Sequence, residues 1–314
     1  MARLAAMVRY FLMRLATAIP TLLIIVTLTF FMMRAAPGGP FDQEQTLPPD
    51  IMANLQNAYG LDQPVWRQYL HYMRSLAQGD FGPSFKYKDF TVTELIVQGF
   101  PVTLELGTIA IALALLGGIP LGIIAAVRHN TALDYATMSL AVLGIAIPAF
   151  VLLPALALLF GIYLHWLPVA GWEPGSLRHL VLPTVALALP PLAYIARLTR
   201  GSMLEVLRSH YIRTALAKGL PLPTVILRHA LRPALMPVAS YLVPAVAAIM
   251  TGSLVVESIA GLPGIGRYLV QGAVNRDYTL VLGLVIIYSA LLIGMGLLVD
   301  LLYAWLDPRV RTRA

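Results

Sequence analysis

Six histidines (His71, His129, His165, His179, His210 and His229), fifteen carboxylates and no cysteine are the groups from which this chain would have to build a catalytic or metal centre. Without cysteine there is no disulfide, thiolate nucleophile or thiolate metal site. No two histidines stand four residues apart on one helix with a carboxylate partner, the arrangement a zinc hydrolase uses. No G-x-S-x-G elbow presents a serine. The phosphate loop G-x-x-x-x-G-K-[ST] is absent, so the chain is not expected to hydrolyse ATP. Its nearest glycine-rich stretch, "GLPGIGR" (Gly261–Arg267), lacks the lysine and the hydroxyl and is expected to be a tight external loop. The distinctive segment is of another kind. Ser209–Pro233, "SHYIRTALAKGLPLPTVILRHALRP", is basic, holds no carboxylate, and lies between two long apolar runs.

The elements that position these residues follow from composition. Hydrophobic residues make up 59% of the 314-residue chain and charged residues 12%, where a soluble domain carries about 25% charged residues. That marks an integral membrane protein. A hydrocarbon core about 30 Å thick needs roughly 20 apolar residues per helix. Six charge-free runs meet or approach this: Leu15–Met33, Leu106–Val127, Tyr135–Leu164, Leu180–Ala196, Pro233–Val256 and Tyr278–Val299. The third is long enough for a span plus a turn or kink. The fourth is short, and Arg197 at its end can snorkel. Backbone groups in lipid must be satisfied internally, and the runs neither alternate nor match barrel strands, so helices are expected. The first run has 19 residues, longer than the roughly 7–15 of a signal-peptide core, and reads as a retained helix. With both termini cytoplasmic, 14 of the 22 Lys and Arg residues fall on the inside, as the positive-inside rule requires. The net charge of +7 then reflects topology, and no nucleic-acid partner is expected. The fold expected is an all-α polytopic membrane protein with six transmembrane helices.

The chain divides into residues 1–34 (cytoplasmic N-terminus and first span), 35–100 (an external helical segment) and 101–314 (a five-helix core with a cytoplasmic loop at 200–232). The external segment holds four basic and seven acidic side chains. Within it "LPPDIMANLQNAYGL" is expected to form a short helix ending at Gly60. "QPVWRQYLHYMRSLAQGD" is expected to form another, stopped by Gly79. Either a cap packed on the spans or a docking surface fits this segment. Ion-coupled carriers need ionisable groups at the bilayer midplane, and the span interiors have none. Glu105, Glu257, Asp277 and Asp300 stand near run ends, where solvation or helix capping explains them. Prolines 148, 154, 183, 190, 191, 237 and 244 permit kinks within spans. A self-sufficient carrier is thus a weak alternative, and an enzyme embedded in the bilayer is weaker still.

In the basic loop, Ser209 can N-cap a helix that ends at Lys218, with Gly219 at the C′ position and Pro221 barring continuation. Tyr211, Ala215 and Lys218 share one face of this helix. A return helix can run from Pro223 to about Arg232, aligning Arg228 with Arg232. Topology explains the charge of this loop, but not its defined ends or its small central residues.

These residues resemble the cytoplasmic loop of binding-protein-dependent ABC import permeases, whose pattern is E-A-A-x-x-x-G followed nine residues later by I-x-L-P. Arg213, Thr214, Ala215 and Gly219 fall on the first part; in "HALRPALMP", His229 and Leu231 fall on the second. Arginine replaces the family glutamate and the proline is displaced to Pro233. Both departures resemble the peptide and nickel branch. "TFFMMRAAPGGPF", "LPPDIMANL", "QGDFGPSFKYKDFTV", "LTRGSM", "GLPGIGR" and "NRDYTLVLG" are similar to the oligopeptide permeases of that branch, nearly end to end. The resemblance implies a type I ABC importer permease fold in a bacterial inner membrane. It implies a non-catalytic subunit that pairs with a homologous second permease, two cytoplasmic ATPases and a periplasmic peptide-binding protein. No cofactor is implied in this chain; ATP and Mg belong to the ATPases. Oligopeptides are the implied substrate, with dipeptides or nickel as alternatives. It assigns ATPase coupling to Tyr211, Arg213, Thr214, Ala215, Lys218, Gly219, Arg228, His229 and Arg232. Asp42, Glu44, Gly261, Pro263, Arg267 and Asp277 are the candidates for docking the binding protein or gating the outer mouth.

Overall fold

The structure, a computed structural model, describes residues 2–35, 60–87 and 89–306. Every regular element among them is helical: α1 (Ala2–Ala35), α2 (Val65–Ala77), α3 (Val92–Val127), α4 (Ala132–Ala146), α5 (Ala149–Leu156) with a π-helical continuation π1 (Ala157–Tyr163), α6 (Leu177–Leu207), α7 (His210–Ala217), α8 (Leu222–Val225), π2 (Ile226–Ala230), α9 (Leu231–Ala234), α10 (Met236–Ala260), α11 (Ile265–Val274) and α12 (Tyr278–Leu306). Five helices are long and apolar enough to cross a membrane, and a sixth span results if α4 and α5–π1 are counted together. The expected short helix before Gly60 lies outside the described residues, as do Asp42 and Glu44.

Three spans differ from expectation for local reasons. Helix α3 begins at Val92, well before the apolar run at Leu106. A reciprocal cap starts it: Glu94 N–H donates to Thr91 Oγ1 (3.2 Å) and Thr91 N–H donates to Glu94 Oε2 (2.8 Å), satisfying two otherwise unpaired donors. The third span is broken, with a bend of 104° between α4 and α5. Proline disfavours helical geometry in the residue before it, and Ile147, before Pro148, is extended at φ −94°, ψ 115°. The fourth span is not short. Helix α6 has 31 residues and carries Arg197 and Arg200 beyond its apolar stretch, up to the start of α7.

The described residues form two compact units, one from residues 2–14, 104–262 and 292–306, the other from 15–35, 60–87, 89–103 and 263–291. In the first, α3 and α6 approach closely at Gly118 and Gly122, which stand four residues apart. A Cβ on Gly118 would lie 2.7 Å from Leu192 O, and one on Gly122 would lie 2.5 Å from Ala196 O. Small residues at this spacing let helix backbones approach in a membrane, where packing replaces the hydrophobic effect as the driving force.

In the second unit, Phe30 of α1 is buried against Tyr69 and Tyr72 of α2 and Leu282 of α12. Helix α2 ends as expected at Gly79 (φ +78°). There Gly79 N–H donates to Leu76 O (3.0 Å) and Asp80 N–H to Ser75 O (3.0 Å), the paired bonds of a glycine-terminated helix. Thr103 accepts a hydrogen bond from Ile265 N–H (2.9 Å) at the start of α11.

Candidate functional site

Helix α7 has eight residues, too few to be stable alone. Its seat holds it. Ile212 and Ala215 are buried against Met203 of α6, Ala126 of α3, Val225 of α8, Ala230 of π2 and Ala234 of α9. Burying an isoleucine side chain contributes roughly 1.5–3 kcal/mol. This settles which face is which. Ala215 points inward, so it does not share a working face with Tyr211 and Lys218. The outward ridge is His210, Arg213, Thr214 and Ala217, flanked by the exposed Tyr211 and Lys218.

Both ends of α7 are sharp, one of them by an unexpected bond. Ser209 occupies the N-cap position with extended backbone, but its hydroxyl donates to Val206 O (2.6 Å) and closes α6 instead. At the other end Gly219 is left-handed at φ +80°. Gly219 N–H donates to Leu216 O (2.9 Å) and Leu220 N–H to Ala215 O (3.3 Å), so the carbonyls of the last turn are satisfied. The return segment is longer than expected and contains a widened turn, π2, ending just before Pro233. Proline crowds the carbonyl four residues back at normal helical pitch, and a π turn is one way to relieve this. Arg228, His229 and Arg232 are exposed on this segment, while Val225, Ala230 and Ala234 face the seat.

One turn before Met203 on α6 stands an ion pair that no local pattern in the sequence announces. Asp134, only 1% exposed, sits in the first turn of α4. Arg200 of α6 grips it with two bonds: Nε donates to Oδ1 (2.5 Å) and Nη2 donates to Oδ2 (2.7 Å). Asn130 N–H adds a third donor to Oδ2 (3.0 Å). His129 Nδ1 lies 3.2 Å from both Asp134 Oδ2 and Arg200 Nη2; a neutral ring serves one of these contacts at a time. Parallel guanidinium–carboxylate bonds set orientation as well as distance, so α4 is locked to α6 about two turns before α6 ends. Only the Thr131-x-x-Asp134 spacing at the start of α4 hinted at it, as a helix-start pattern. Among the described residues no cluster of histidine and carboxylate could hold a metal ion.

The other expected site residues separate. Gly261 is left-handed (φ +69°) and ends α10, with Leu262 N–H donating to Glu257 O (3.0 Å). Pro263 and Arg267 are half-exposed around the start of α11. Asp277 does not present a charge to a partner. It is fully buried, and its Oδ2 accepts hydrogen bonds from Ser84 Oγ, Phe85 N–H (3.1 Å) and Lys86 N–H (3.3 Å). Its Oδ1 accepts from Leu280 N–H (3.2 Å) and Thr279 Oγ1 (3.1 Å). It therefore caps α12 and fastens the 84–86 loop to it, which is the helix-capping explanation. Asp277→Asn keeps the shape but removes the charge from these bonds and forces an N–H₂ against donors. It should cost about 1–2 kcal/mol and make the 84–86 loop sensitive to limited proteolysis in the purified protein. Unchanged proteolysis would show that the carboxylate is not the fastener.

Comparison with known proteins agrees with this architecture. Residues 118–312 match the family model described as "Binding-protein-dependent transport system inner membrane component", and residues 7–107 match its companion for the N-terminal membrane component. The chain is 54% identical over 305 residues to the oligopeptide transport system permease protein OppB of Escherichia coli (strain K12), covering 97% of this chain and 100% of that one. It is 50% identical to the protein of the same name from Haemophilus influenzae, again over 97% of this chain and 100% of the other. Against the dipeptide transport system permease protein DppB of Bacillus subtilis it is 48% identical, over 97% of this chain and 98% of the other. A chain of the MetNI methionine ABC transporter, solved in inward facing conformations, superposes with a TM-score of 0.53 at 18% identity, covering 68% of this chain and 96% of that one. That likeness speaks to the fold, which is the type I ABC importer permease fold. With a family model matching residues 118–312, its companion matching 7–107, and relatives 48–54% identical over 97% of its length, the chain belongs to the binding-protein-dependent transport system inner membrane component family, as a multi-pass permease.

Proposed function

We propose that this chain is one of two homologous permease subunits of an ATP-driven importer for oligopeptides. Both termini and the 209–233 loop face the cytoplasm. The outward ridge of α7 docks on one of two ATPase subunits that bind ATP and Mg, and a periplasmic peptide-binding protein delivers substrate on the other side. The observation that carries the reading is α7 itself: a short helix with closed ends, held by Ile212 and Ala215, with its polar side exposed among the described residues. The names of the relatives that are 50–54% identical support oligopeptide as substrate. Dipeptide is the second reading, supported by the relatives that carry that name.

The test is Gly219→Val in the assembled importer. No atom lies within 4 Å of a Cβ at this position, so nothing collides. The cost is purely the left-handed backbone, about 1–2 kcal/mol for an ordinary residue and more for a β-branched one. Insertion into the membrane should be unchanged, while uptake of a labelled peptide falls by about tenfold or more because the last turn of α7 is reshaped. Gly219→Asn, which tolerates this conformation, should retain most of the uptake. Equal uptake by the valine variant at equal membrane abundance would remove α7 from the coupling role.

A further inference from the structure

Helix α6 is the most enclosed of the five long spans. From Leu182 to Arg200 every residue is buried or half-buried except one, Arg197. The single opening in this packed stretch therefore carries a cation. It lies ten residues before Leu207, about 15 Å along the helix from the end that carries α7. Its guanidinium stands 5.9 Å from the centroid of the Tyr194 ring. That ring stacks on Tyr241 of α10, with 4.2 Å between centroids and 27° between planes. Tyr241 is packed in turn against the buried Ala114 of α3, Ile195 of α6 and Val238 of α10. All of these residues belong to the first unit. A cation over a ring face is attracted by the ring quadrupole, and the guanidinium keeps its N–H donors for another partner. Among the described residues no carboxylate forms an ion pair with Arg197, whereas Arg200, one turn on, has Asp134.

An arginine at the edge of a span ordinarily reaches for lipid phosphates, but the surface around this one is not built for lipid. The exposed positions of α3 are large and apolar, among them Leu113, Leu116, Leu121 and Ile124. Beside Tyr241 the exposed positions of α10 are Ser240, Pro244 and Ala248, four residues apart on one face. Small side chains on a span leave room for a partner other than acyl chains. In an importer one such partner is the solute itself, and a free peptide carries the group that an arginine fork matches, its terminal carboxylate. We propose that Arg197, held on the Tyr194–Tyr241 stack, receives the carboxylate end of the peptide near the inner mouth of the transport path. The rings offer an apolar face to the side chain next to that carboxylate. This assignment rests on the importer function proposed above and gives the path a charged contact that the apolar runs lack.

The test uses the whole importer in liposomes, with both permeases, the ATPases and the binding protein. The probes are labelled Ala-Ala-Ala and its C-terminal amide, each at a concentration that saturates the binding protein. The readout is the ratio of their uptake rates. The unaltered importer should carry the free acid about tenfold faster than the amide. Arg197→Gln should bring the ratio close to one by slowing the acid alone. Arg197→Lys, which keeps the charge but not the fork, should retain part of the preference. Tyr194→Leu, which removes the platform, should lower the ratio several-fold. An arginine that is merely structural, bound to a lipid phosphate, or paired with an acid of the second permease would act on both probes alike. Equal slowing of the two probes therefore overturns the proposal, and so does a preference that survives Arg197→Gln. If Arg197→Gln fails to assemble, the ratios of the unaltered and Arg197→Lys importers still decide. Equal uptake of acid and amide by the unaltered importer overturns this proposal alone. No uptake of either probe overturns the importer function and this proposal with it.

Discussion

Gly122→Leu should leave a chain that inserts into the membrane but melts far below the unaltered protein. A Cβ at this position would meet Ala196 O at 2.5 Å, Thr199 Cβ at 2.6 Å and Arg200 N at 3.0 Å. Two of these three atoms are backbone and cannot rotate away. Helices α3 and α6 must separate, and the contact they lose extends to Leu192 and Ile195, which face Gly118. Overpacking costs typically 1–3 kcal/mol where side chains can yield; against backbone, about 3 kcal/mol or more is expected. Thermal unfolding in detergent, followed by size-exclusion chromatography, measures it. The matched control is Gly201→Ala on α6, where no atom lies within 4 Å of the added Cβ. That change should be neutral or stabilise by up to about 1 kcal/mol through helix propensity. A leucine variant that melts within about 2 °C of the parent would mean the α3–α6 approach is looser than described.

Asp134→Ala should give the second-largest loss, with a different signature. It leaves Arg200 beside His129 without its carboxylate, and Asn130 N–H without its acceptor. Breaking a buried pair by removing one partner costs about 3–5 kcal/mol, and exposed pairs contribute about 0–1. The carboxylate is buried but the Arg200 side chain keeps 24% of its exposure, so about 2–3 kcal/mol is expected. Replacing both residues, as Asp134→Leu with Arg200→Leu, should recover much of the stability, because no charge is stranded. Uptake should not recover with it, since two apolar side chains do not fix the angle between α4 and α6. A double variant that restores uptake along with stability would reduce the pair to a stability element.

How far these features were legible depended on their range along the chain. Spans were readable from charge-free runs, and the ends of α2 and α7 from Gly79 and Gly219, because a left-handed stop is a local requirement. The direction of Ala215 was not. Its helix offers small residues on more than one side, and only Met203, Val225 and Ala230 decide which side is inward. Asp134 and Arg200 are 66 residues apart, and no local period announces such a pair. Gly118 and Gly122 do carry a legible four-residue spacing, yet the partner helix cannot be read from it. Pro148 announced a kink, but its size depends on what α5 packs against. Asp277 looked like an external charge because it follows an exposed turn. Its burial arises from the 84–86 loop, almost two hundred residues earlier in the chain.

The length of α6 has a mechanical consequence. Its 31 residues make a rod of about 46 Å at 1.5 Å per residue. Pro190 and Pro191 interrupt its hydrogen bonding about 25 Å from the end that carries α7. If the rod bends there, a push of about 2 Å on α7 corresponds to a rotation of roughly 5° about the proline pair. On the proposed coupling, the position of that pair would act as a gear ratio. Moving it one helical turn toward Arg200 would shorten the arm by about 5.4 Å and turn the same push into a larger angle. On the proposed coupling, stroke and angle would be set by the distance from two prolines to the end of α6, without any change in the outward ridge of α7.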